Sequence, residues 1–323
     1  MELPPALRRA VDAALEGVPL AELGAASDTL SRRYRAEVRD GSLHLASERA
    51  ALAYLATRLP ATYAAVRASF AAVAKARPDF TPSSALDVGA GPGTAIWAAV
   101  DCWPTLADAL LIEASPAIRR FGERFAAAAG PARMVWHTAD AEQDFTDRGP
   151  RDLVTLTYAL GEWAAERRDT LIDRLWSATG DMLVIVEPGT SAGFQRILAA
   201  RDRLIAAGAH LAAPCPHAMR CPLAAPDWCH FAERVARSRL HRLAKGGEVP
   251  WEDEKFIYIA ASRKPGTGAP SRVIAPPRAG SGRVTLKLCH RDGSTAARLV
   301  SRRDGALFKA ARRADWGGTF ETR

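Results

Sequence analysis

The sequence predicts an α/β fold with a parallel central sheet, and three observations lead to this prediction. Between residues 84 and 207, short apolar runs alternate with segments of helical periodicity, which is typical of buried strands covered by helices on both faces. The first apolar run leads directly into a glycine-rich loop. The second run ends in Glu113, about 20 residues after the last glycine of that loop. This order indicates a ligand site at the carboxyl edge of the sheet.

The individual elements follow from these periodicities. Strands are predicted where four to six apolar-rich residues stand together, at 85–88, 109–113, 133–137, 153–158, 182–187 and 256–261. Helices are predicted where apolar residues recur every three or four positions, at 94–103, 116–129, 165–179 and 191–207. Residues 1–80 are rich in Ala, Leu and Arg and show the same helical spacing, interrupted by Pro60 and Pro78.

Composition divides the chain into three parts. Residues 1–80 are predicted to form a helical N-terminal region, and residues 81–263 the sheet domain, which includes a Cys-rich insertion at 208–250. Residues 264–323 are predicted to form a linker and a small β-rich basic unit. The predicted strands of this unit are separated by turns at Asp292-Gly293 and Asp304-Gly305, and they cover 284–288, 296–300 and 307–309.

The charge is distributed unevenly along the chain. The 323 residues include 44 basic and 36 acidic ones, a net charge of +8. Residues 1–200 hold 21 basic and 25 acidic residues, whereas residues 201–323 hold 23 basic and 11 acidic residues, a local excess of +12. This asymmetry predicts a polyanion-binding face on the C-terminal part rather than a generally basic protein.

The sequence also bears on location. It has no run of about 18 or more apolar residues, so no membrane span is expected. The N-terminus lacks an apolar signal core, and Glu2, Asp12 and Glu16 argue against a mitochondrial transit peptide. We therefore expect a reducing compartment, where clustered cysteines are more often metal ligands than disulfides. A monomer is expected.

The glycine-rich loop carries an acidic residue ahead of its glycines, in the order Asp87, Gly89, Gly91 and Gly93. Glycine lets a backbone turn tightly and approach a ligand closely. The pattern resembles class I S-adenosylmethionine-dependent methyltransferases, with a Rossmann-like sheet, more than dinucleotide dehydrogenases. The resemblance places Asp87 near the amino end of the methionine. The spacing places Glu113 at the ribose hydroxyls and Asp140 at the adenine amino group. An NAD site and a tight turn without ligand are the alternatives.

The fourth predicted strand runs into Tyr158 and Glu162, where methyltransferases carry acceptor-side residues. The Asn/Asp-Pro-Pro-aromatic turn of amino-methylating enzymes is absent here, and so is a nucleophilic cysteine. Tyr158 and Glu162 could orient or deprotonate a substrate, but a packing aromatic and a helix-capping acid explain them equally well. Ligand binding is therefore better supported than catalysis.

Four of the five cysteines lie in the basic section, at Cys215, Cys221, Cys229 and Cys289. Soft thiolates suit zinc or iron–sulfur centres, and four of them suffice for either. The spacings Cys-x5-Cys and Cys-x7-Cys contain no Cys-x2-Cys knuckle, which favours a four-iron, four-sulfur cluster, with zinc as the alternative. Neighbouring histidines are expected to support the ligands, and Cys102 is expected to be a core residue.

Four segments together resemble a known family: the Cys-Pro-His and Asp-Trp-Cys-His-Phe motifs within 215–231, and the runs at 58–63, 186–190 and 311–317. They are similar to the bacterial and mitochondrial methyltransferase-like proteins of the small ribosomal subunit. The resemblance covers nearly the whole chain. It implies a class I methyltransferase fold with an inserted 4Fe-4S cluster held by Cys215, Cys221, Cys229 and Cys289. It also implies binding of small-subunit ribosomal RNA during ribosome assembly.

This resemblance makes the basic residues candidates for contacts with RNA phosphates. One predicted helix from Arg234 to Lys245 would carry Arg234, Arg237 and Arg242. A second group lies in the terminal unit, at Arg302, Arg303, Arg312 and Arg313. The short, acidic N-terminus predicts a bacterial cytoplasmic form. Two alternative functions use the same cysteines: a redox-responsive RNA-binding regulator, and an active RNA methyltransferase with a structural zinc.

Overall fold

The computed structural model describes residues 1–38, 40–127, 133–138, 145 and 148–321. The helical N-terminal region consists of α1 Pro5–Leu15, α2 Leu20–Arg35, α3 Glu48–Thr57 and α4 Leu59–Ala76. Ser47 caps α3, since its side chain accepts a hydrogen bond from the Ala50 amide. The buried faces of these helices join the core of the sheet domain, so the N-terminal region packs as part of one hydrophobic core.

The central sheet has the predicted alternation. Its parallel strands are β1 Ser84–Val88, β2 Asp108–Ile112, β3 Arg133–His137, β4 Arg151–Thr157 and β5 Thr179–Pro188. The helices between them are α5 Thr94–Cys102, α6 Pro116–Ala126, α7 Ala165–Ser177 and α8 Ser191–Ala206. Most residues of β1, β2, β4 and β5 are buried, because both faces of the sheet are covered.

Three further strands complete the sheet: β6 His210–Ala213, β7 Phe231–Ala236 and β8 Trp251–Ser262. The strand order is β3-β2-β1-β4-β5-β8-β6, with β7 also paired to β8, and β8 runs antiparallel to β5, β6 and β7. The order reverses at β1, which lies between β2 and β4, and ligands bind at such a switch point in open α/β sheets. The α/β Rossmann-like class I methyltransferase fold is therefore confirmed.

The insertion differs from the prediction. The single helix expected from Arg234 to Lys245 is wrong: Arg234 lies on β7, and only α9, Arg239–Ala244, is helical. The reason is the length of β8, whose N-terminal half extends beyond the rest of the sheet and pairs with β7 from Phe231↔Phe256 to Ala236↔Trp251. Pairing with this extended edge outweighs the helical preference of the arginine-rich segment.

The terminal unit is a second small sheet of β9 Ser271–Val273, β10 Arg278–Gly280, β11 Arg283–His290 and β12 Thr295–Ser301, followed by α10 Ala306–Ala311. The strand predicted at 307–309 is wrong, because these residues belong to α10. Leu307, Phe308 and Ala311 share one face of that helix and pack on a core that includes Val284 and Leu288. Among the helices of the described residues, none is both long enough and apolar enough to cross a membrane.

Candidate functional site

The glycine-rich loop joins β1 to α5 at the carboxyl edge of the sheet. Gly89, Gly91 and Gly93 have φ values of 67°, 57° and 80°, a region that side chains other than glycine rarely adopt. A Cβ atom on Gly89 would also lie 2.9 Å from the Cβ of Ala159, which follows β4. The loop therefore keeps its backbone exposed to a neighbouring cavity only because these positions are glycine.

This donor cavity, as we call it, has a volume of about 400 Å³. Its floor is made by the glycine loop and by the ends of β2 and β4, including Glu113 and Thr157. Its roof comes from the N-terminal region, through Tyr34, Leu45 and Tyr54. The hydroxyl of Ser115 donates a 2.6 Å hydrogen bond to the Leu45 carbonyl and so ties the roof to the floor. Sequence reasoning missed this roof, although tyrosines in Ala-rich helices were an available signal.

Two predicted acidic residues shape the loop. The Glu113 carboxylate accepts hydrogen bonds from the Gly91 amide at 2.8 Å and the Ser115 amide at 2.7 Å. Burial raises the pKa of Glu113. Its expected contact with ribose hydroxyls stays a prediction. Asp140, expected at the adenine, lies outside the described residues.

Asp87 is completely buried at the end of β1. One carboxylate oxygen accepts a 2.7 Å hydrogen bond from the Thr155 hydroxyl, and no described residue donates to the other oxygen. Burial and the nearby charge of Glu113 raise the pKa of Asp87 to about 7. An unpartnered buried carboxylate oxygen is unfavourable, so this residue fits a role in which a cationic ligand group is held nearby.

A second cavity of about 950 Å³ adjoins the donor cavity and shares Tyr34, His44, Tyr158 and Glu162 with it. Tyr158 has a φ of 58°, and its hydroxyl donates a 2.9 Å hydrogen bond to Glu254. Burial and the Glu254 charge raise the pKa of Tyr158 well above its usual value. Tyr158 is therefore a fixed, protonated wall of the cavity and is unsuited to act as a base.

Glu162 has a different environment. No described residue donates a hydrogen bond to its carboxyl group, which lines both cavities. Although part of its surface is exposed, desolvation by the cavity walls and the charges of Glu113 and Glu187 raise the pKa of Glu162 to about 8. Of the two acceptor-side candidates from the sequence, Glu162 is thus the one that remains available to a ligand.

The turn that carries Glu162 is held by a buried ion pair that sequence reasoning missed. Glu187, at the end of β5, accepts a 3.1 Å hydrogen bond from the Leu160 amide and a 2.6 Å one from the Arg196 guanidinium. Arg196 also pairs with Glu37 at 2.8 Å. The side chains of Glu187 and Arg196 are 1% and 7% exposed, so the pair is shielded from solvent. It connects the acceptor side to the N-terminal region.

All four predicted metal ligands, Cys215, Cys221, Cys229 and Cys289, line one small cavity of about 40 Å³, called the cysteine cavity below. They come from separate places in the chain: the segment after β6, the irregular stretch before β7, and strand β11. All are free thiols. Burial raises the pKa of Cys215, that of Cys229 well above its usual value, and that of Cys289 to about 12.

Other polar atoms in this cavity lack partners. The Nε of Arg201 and the Nδ1 of His217 are buried, and no described residue satisfies them. His217 Nε2 lies 3.4 Å from the Cys289 sulfur. As the side chains stand in the described ranges, no group of three or more His, Cys, Asp or Glu residues is arranged to hold a metal ion. The donor set itself, four thiols beside buried cations, fits a thiolate-ligated metal centre.

The two groups of basic residues differ in their surroundings. Arg234 pairs with Asp253 at 2.9 Å, and Arg237 and Lys245 both pair with Glu252, at 2.9 and 3.0 Å. The terminal group consists of Arg302, Arg303, Arg312 and Arg313. All four are exposed, and none of them forms an ion pair with another described residue. Arg242 is half-buried on α9. Of these two groups, the terminal one therefore offers more unpaired positive charge to a partner.

Comparison with known proteins gives a family match over most of the chain. The family model described as mitochondrial small ribosomal subunit Rsm22 matches residues 48–321. The human ribosome assembly protein METTL17, mitochondrial, is 28% identical over 294 residues, covering 84% of this chain and 62% of its own length. The Rsm22-cox11 tandem protein 2, mitochondrial, from Schizosaccharomyces pombe is 26% identical over 339 residues, covering 88% of this chain and 45% of its own length. The chain spans about half to three fifths of these relatives.

Among solved structures, an O-methyltransferase family protein from Burkholderia thailandensis has a TM-score of 0.47 at 12% identity, with 76% of this chain and 72% of the other covered. The magnesium protoporphyrin IX methyltransferase of Synechocystis PCC 6803, solved with bound S-adenosylmethionine, has a TM-score of 0.42 at 15% identity, with 72% and 90% covered. These similarities are too distant to carry a conclusion about cofactor or substrate.

The comparisons correct one expectation. The bacterial cytoplasmic location inferred from the N-terminus is wrong, because the family description and the names of both relatives are mitochondrial. The inference used the acidity of a few N-terminal residues, which says little when the relatives extend well beyond the matched region.

Proposed function

The chain belongs to the family described as mitochondrial small ribosomal subunit Rsm22, and on this premise we propose that it binds S-adenosylmethionine and acts in assembly of the small ribosomal subunit. The observation that carries the proposal is the donor cavity at the switch point of the sheet, lined by Gly89 and Gly91, which have positive φ, and by Glu113. Asp87 is buried just behind this loop, at the end of β1. Because the names of both relatives are mitochondrial, we propose that this assembly role concerns mitochondrial ribosomes.

Different residues of the donor cavity would contact different parts of S-adenosylmethionine. The backbone of Gly89 and Gly91 would border the methionine part, and Asp87 at the loop's base suits the positive amino end. Glu113 faces the ribose side while its carboxylate fixes the loop. When bound, S-adenosylmethionine supplies an electrophilic methyl group. The roof from the N-terminal region covers one side of the cavity, where the Ser115 hydrogen bond to Leu45 holds it against the floor.

The cysteine cavity supports the second part of the proposal, a 4Fe-4S cluster held by Cys215, Cys221, Cys229 and Cys289. Zinc is the alternative for the same four sulfurs. When bound, the group supplies a covalent link between the insertion and the terminal unit, and a cluster also supplies a redox-active centre. The chain's own residues provide the thiolates and the buried cations around them.

The terminal unit supports the RNA part of the proposal. Its exposed arginines, Arg302, Arg303, Arg312 and Arg313, are free to meet phosphates of small-subunit ribosomal RNA. Arg234 and Arg237 are less suited, because carboxylates already neutralise them.

RNA methyl transfer is a second candidate function, and Glu162 favours it. An unpaired carboxyl between the donor cavity and the larger cavity could orient an acceptor group or take its proton. Tyr158 holds the wall in place through Glu254. Ribosomal RNA from cells with and without the gene, compared by mass spectrometry, would show a missing methyl group if the transfer occurs.

Two measurements test the main proposal. Calorimetric titration of the full chain with S-adenosylmethionine is expected to saturate in the micromolar range, and no saturation up to about millimolar would contradict donor binding. Sedimentation of cell extracts is expected to place the protein with small-subunit precursors at low salt and to release it steeply as salt rises. Finding the protein only in free fractions at low salt would contradict the assembly role.

A further inference from the structure

Two arginines are buried beside the four cysteines. Arg201 on α8 is 2% exposed and Arg272 on β9 is 5% exposed, and both line the cysteine cavity. None of the described residues that line this cavity is acidic. A buried guanidinium is costly unless a negative group lies nearby. Arg201 pairs with Asp202 outside the cavity and Arg272 forms no ion pair with a described carboxylate, so inside the cavity no negative side chain faces either guanidinium.

The first arginine organises the insertion. The Nη2 of Arg201 donates to the carbonyls of His217 at 3.0 Å and Met219 at 2.6 Å, which fixes the turn between Cys215 and Cys221. Its Nη1 pairs with Asp202 at 2.8 Å on the solvent side. Its Nε has no described partner. One donor of a buried cation is therefore left for a group inside the cavity.

The second arginine joins the insertion to the terminal unit. Arg272 donates from Nε to the Pro214 carbonyl at 2.7 Å and from Nη1 to the Gly317 carbonyl at 2.9 Å. It also lies directly opposite Cys289 in the register of β9 and β11. Its charge is therefore fixed between two of the candidate ligands, Cys215 and Cys289, and no described carboxylate forms an ion pair with it.

The charges match one class of ligand. Four thiolates around an oxidised four-iron core form a dianion, and so do four thiolates around zinc. We propose that Arg201 and Arg272 are positioning residues that make the cysteine cavity selective for a dianionic metal–thiolate centre and stabilise its more negative states. The inference rests on the proposed metal site and goes beyond it, because it assigns the selectivity to two residues that are not ligands.

Removing one of these charges should change the reduction potential or the metal-transfer rate of the bound centre more strongly than the amount of centre that is bound. In anaerobically purified full-length protein, Arg201→Gln and Arg272→Gln are each expected to shift the oxidised-to-reduced equilibrium of the cluster at least tenfold toward oxidised. For a one-electron couple this corresponds to a reduction potential about 59 mV lower. Arg201→Lys and Arg272→Lys keep the charge and are expected to retain the potential of the parent protein.

The matched control is Arg203→Gln on the same helix, where the guanidinium pairs with Asp169 and Asp173 at the surface. It should leave the potential unchanged. If the centre is zinc, the readout is the rate of zinc transfer to a chelator, expected to rise at least about tenfold in the Gln variants and not in the Lys variants.

The outcomes separate the two ideas. Parent protein without iron, sulfide or zinc would refute the proposed metal site, and this inference with it. A loaded centre whose potential or transfer rate is the same in parent and Gln variants would overturn the role of the arginines alone. If a Gln variant fails to fold, the corresponding Lys variant decides, since a shift as large as tenfold despite the retained charge would show that hydrogen bonding, not charge, matters.

Discussion

The donor cavity and the cysteine cavity are built in opposite ways. The first is lined by the glycine loop, the ends of β2 and β4 and a roof from the N-terminal region, and has a volume of about 400 Å³. The second has about 40 Å³ and collects thiols and cations from separate parts of the chain. In the first, Glu113 fixes the loop through the Gly91 amide although one oxygen of Asp87 has no described partner, whereas in the second the unsatisfied atoms belong to Arg201 and His217.

This difference indicates how each site depends on its ligand. The donor loop is held by its own hydrogen bonds, so it should keep its shape without S-adenosylmethionine. The cysteine cavity buries polar atoms that only a bound group would satisfy, so its stability should depend on that group. Since Cys289 and Arg272 lie on the terminal sheet, loss of the group should loosen the terminal unit while the donor cavity remains intact.

The largest effect is expected for Cys229→Ser. Loss of one thiolate should reduce bound metal to background and increase protease cleavage in the linker at 264–270, while binding of S-adenosylmethionine stays within about twofold of the parent. Metal analysis, limited proteolysis and calorimetry check the three parts. The control is Cys102→Ser, a cysteine on α5 outside the cavity. Equal loss of donor binding in Cys229→Ser would show that the two sites are not independent.

The reverse test is Gly89→Ala. A side chain at φ 67° is strained, and its Cβ would meet Ala159 at 2.9 Å, so affinity for S-adenosylmethionine should fall at least about tenfold with metal content unchanged. Gly17→Ala introduces the same kind of strain at φ 74°, where no atom lies within 4 Å. Calorimetry on both variants separates backbone strain from contact in the loop. Unchanged affinity in Gly89→Ala would contradict the assignment of the donor cavity.

A third test concerns the exposed charges. Replacing Arg302, Arg303, Arg312 and Arg313 by Gln should weaken binding to single-stranded ribosomal RNA and reduce the magnitude of the negative slope of log affinity against log salt by about 3. Arg234→Gln with Arg237→Gln should change the slope much less, because both arginines pair with carboxylates. A filter-binding titration at several salt concentrations measures both. The opposite ranking of the two variants would place the RNA surface on the insertion.

The smallest effect is expected for Asp87→Asn. The pKa of Asp87 rises from 3.8 to about 7 on folding, so the folded protein keeps a proton that the unfolded chain releases, and stability falls as pH rises across this window. Asp87→Asn removes this loss. Its free energy of unfolding, relative to that of the parent protein, should therefore rise by about 1–3 kcal/mol between pH 5 and pH 8, and it should bind S-adenosylmethionine more weakly.

The contrast for this prediction is Asp152→Asn, where hydrogen bonds from Ser83 and Ser84 lower the pKa of the carboxyl group. Its ionised form stabilises the folded state, so this variant should lose stability at pH 8 and lose less as pH falls. Thermal unfolding at both pH values measures the two trends. Parallel pH profiles for Asp87→Asn and the parent protein would contradict the burial of an uncompensated carboxyl.

Sequence alone predicted the sheet and its loop because their signals are local. The strands at 133–137 and 153–158 follow from apolar runs, and the glycine loop follows from its residue types. The strand β7 was mistaken for a helix because its pairing partner, the first half of β8, lies about 20 residues away. The hydrophobic periodicity of a segment does not predict whether it pairs with a strand that is distant in sequence.

The candidate sites show the same division. The cysteines were recognised from their residue type, and the structure brings all four to one cavity. The roof of the donor cavity, the Glu187–Arg196 pair and the buried Arg201 and Arg272 were missed, because each depends on contacts between distant parts of the chain. The charge count located a basic section, but only the structure distinguishes paired from unpaired arginines.

The independence of the two cavities is tested by one comparison on full-length protein purified without oxygen. Metal and sulfide content and the affinity for S-adenosylmethionine are measured before and after removal of the metal by a chelator. We expect one cluster per chain, with a broad visible absorbance that is lost on chelation together with protease resistance of the terminal unit, while the affinity for S-adenosylmethionine stays within about twofold. Absence of bound metal from the untreated protein, or loss of donor binding with the metal, would contradict this expectation.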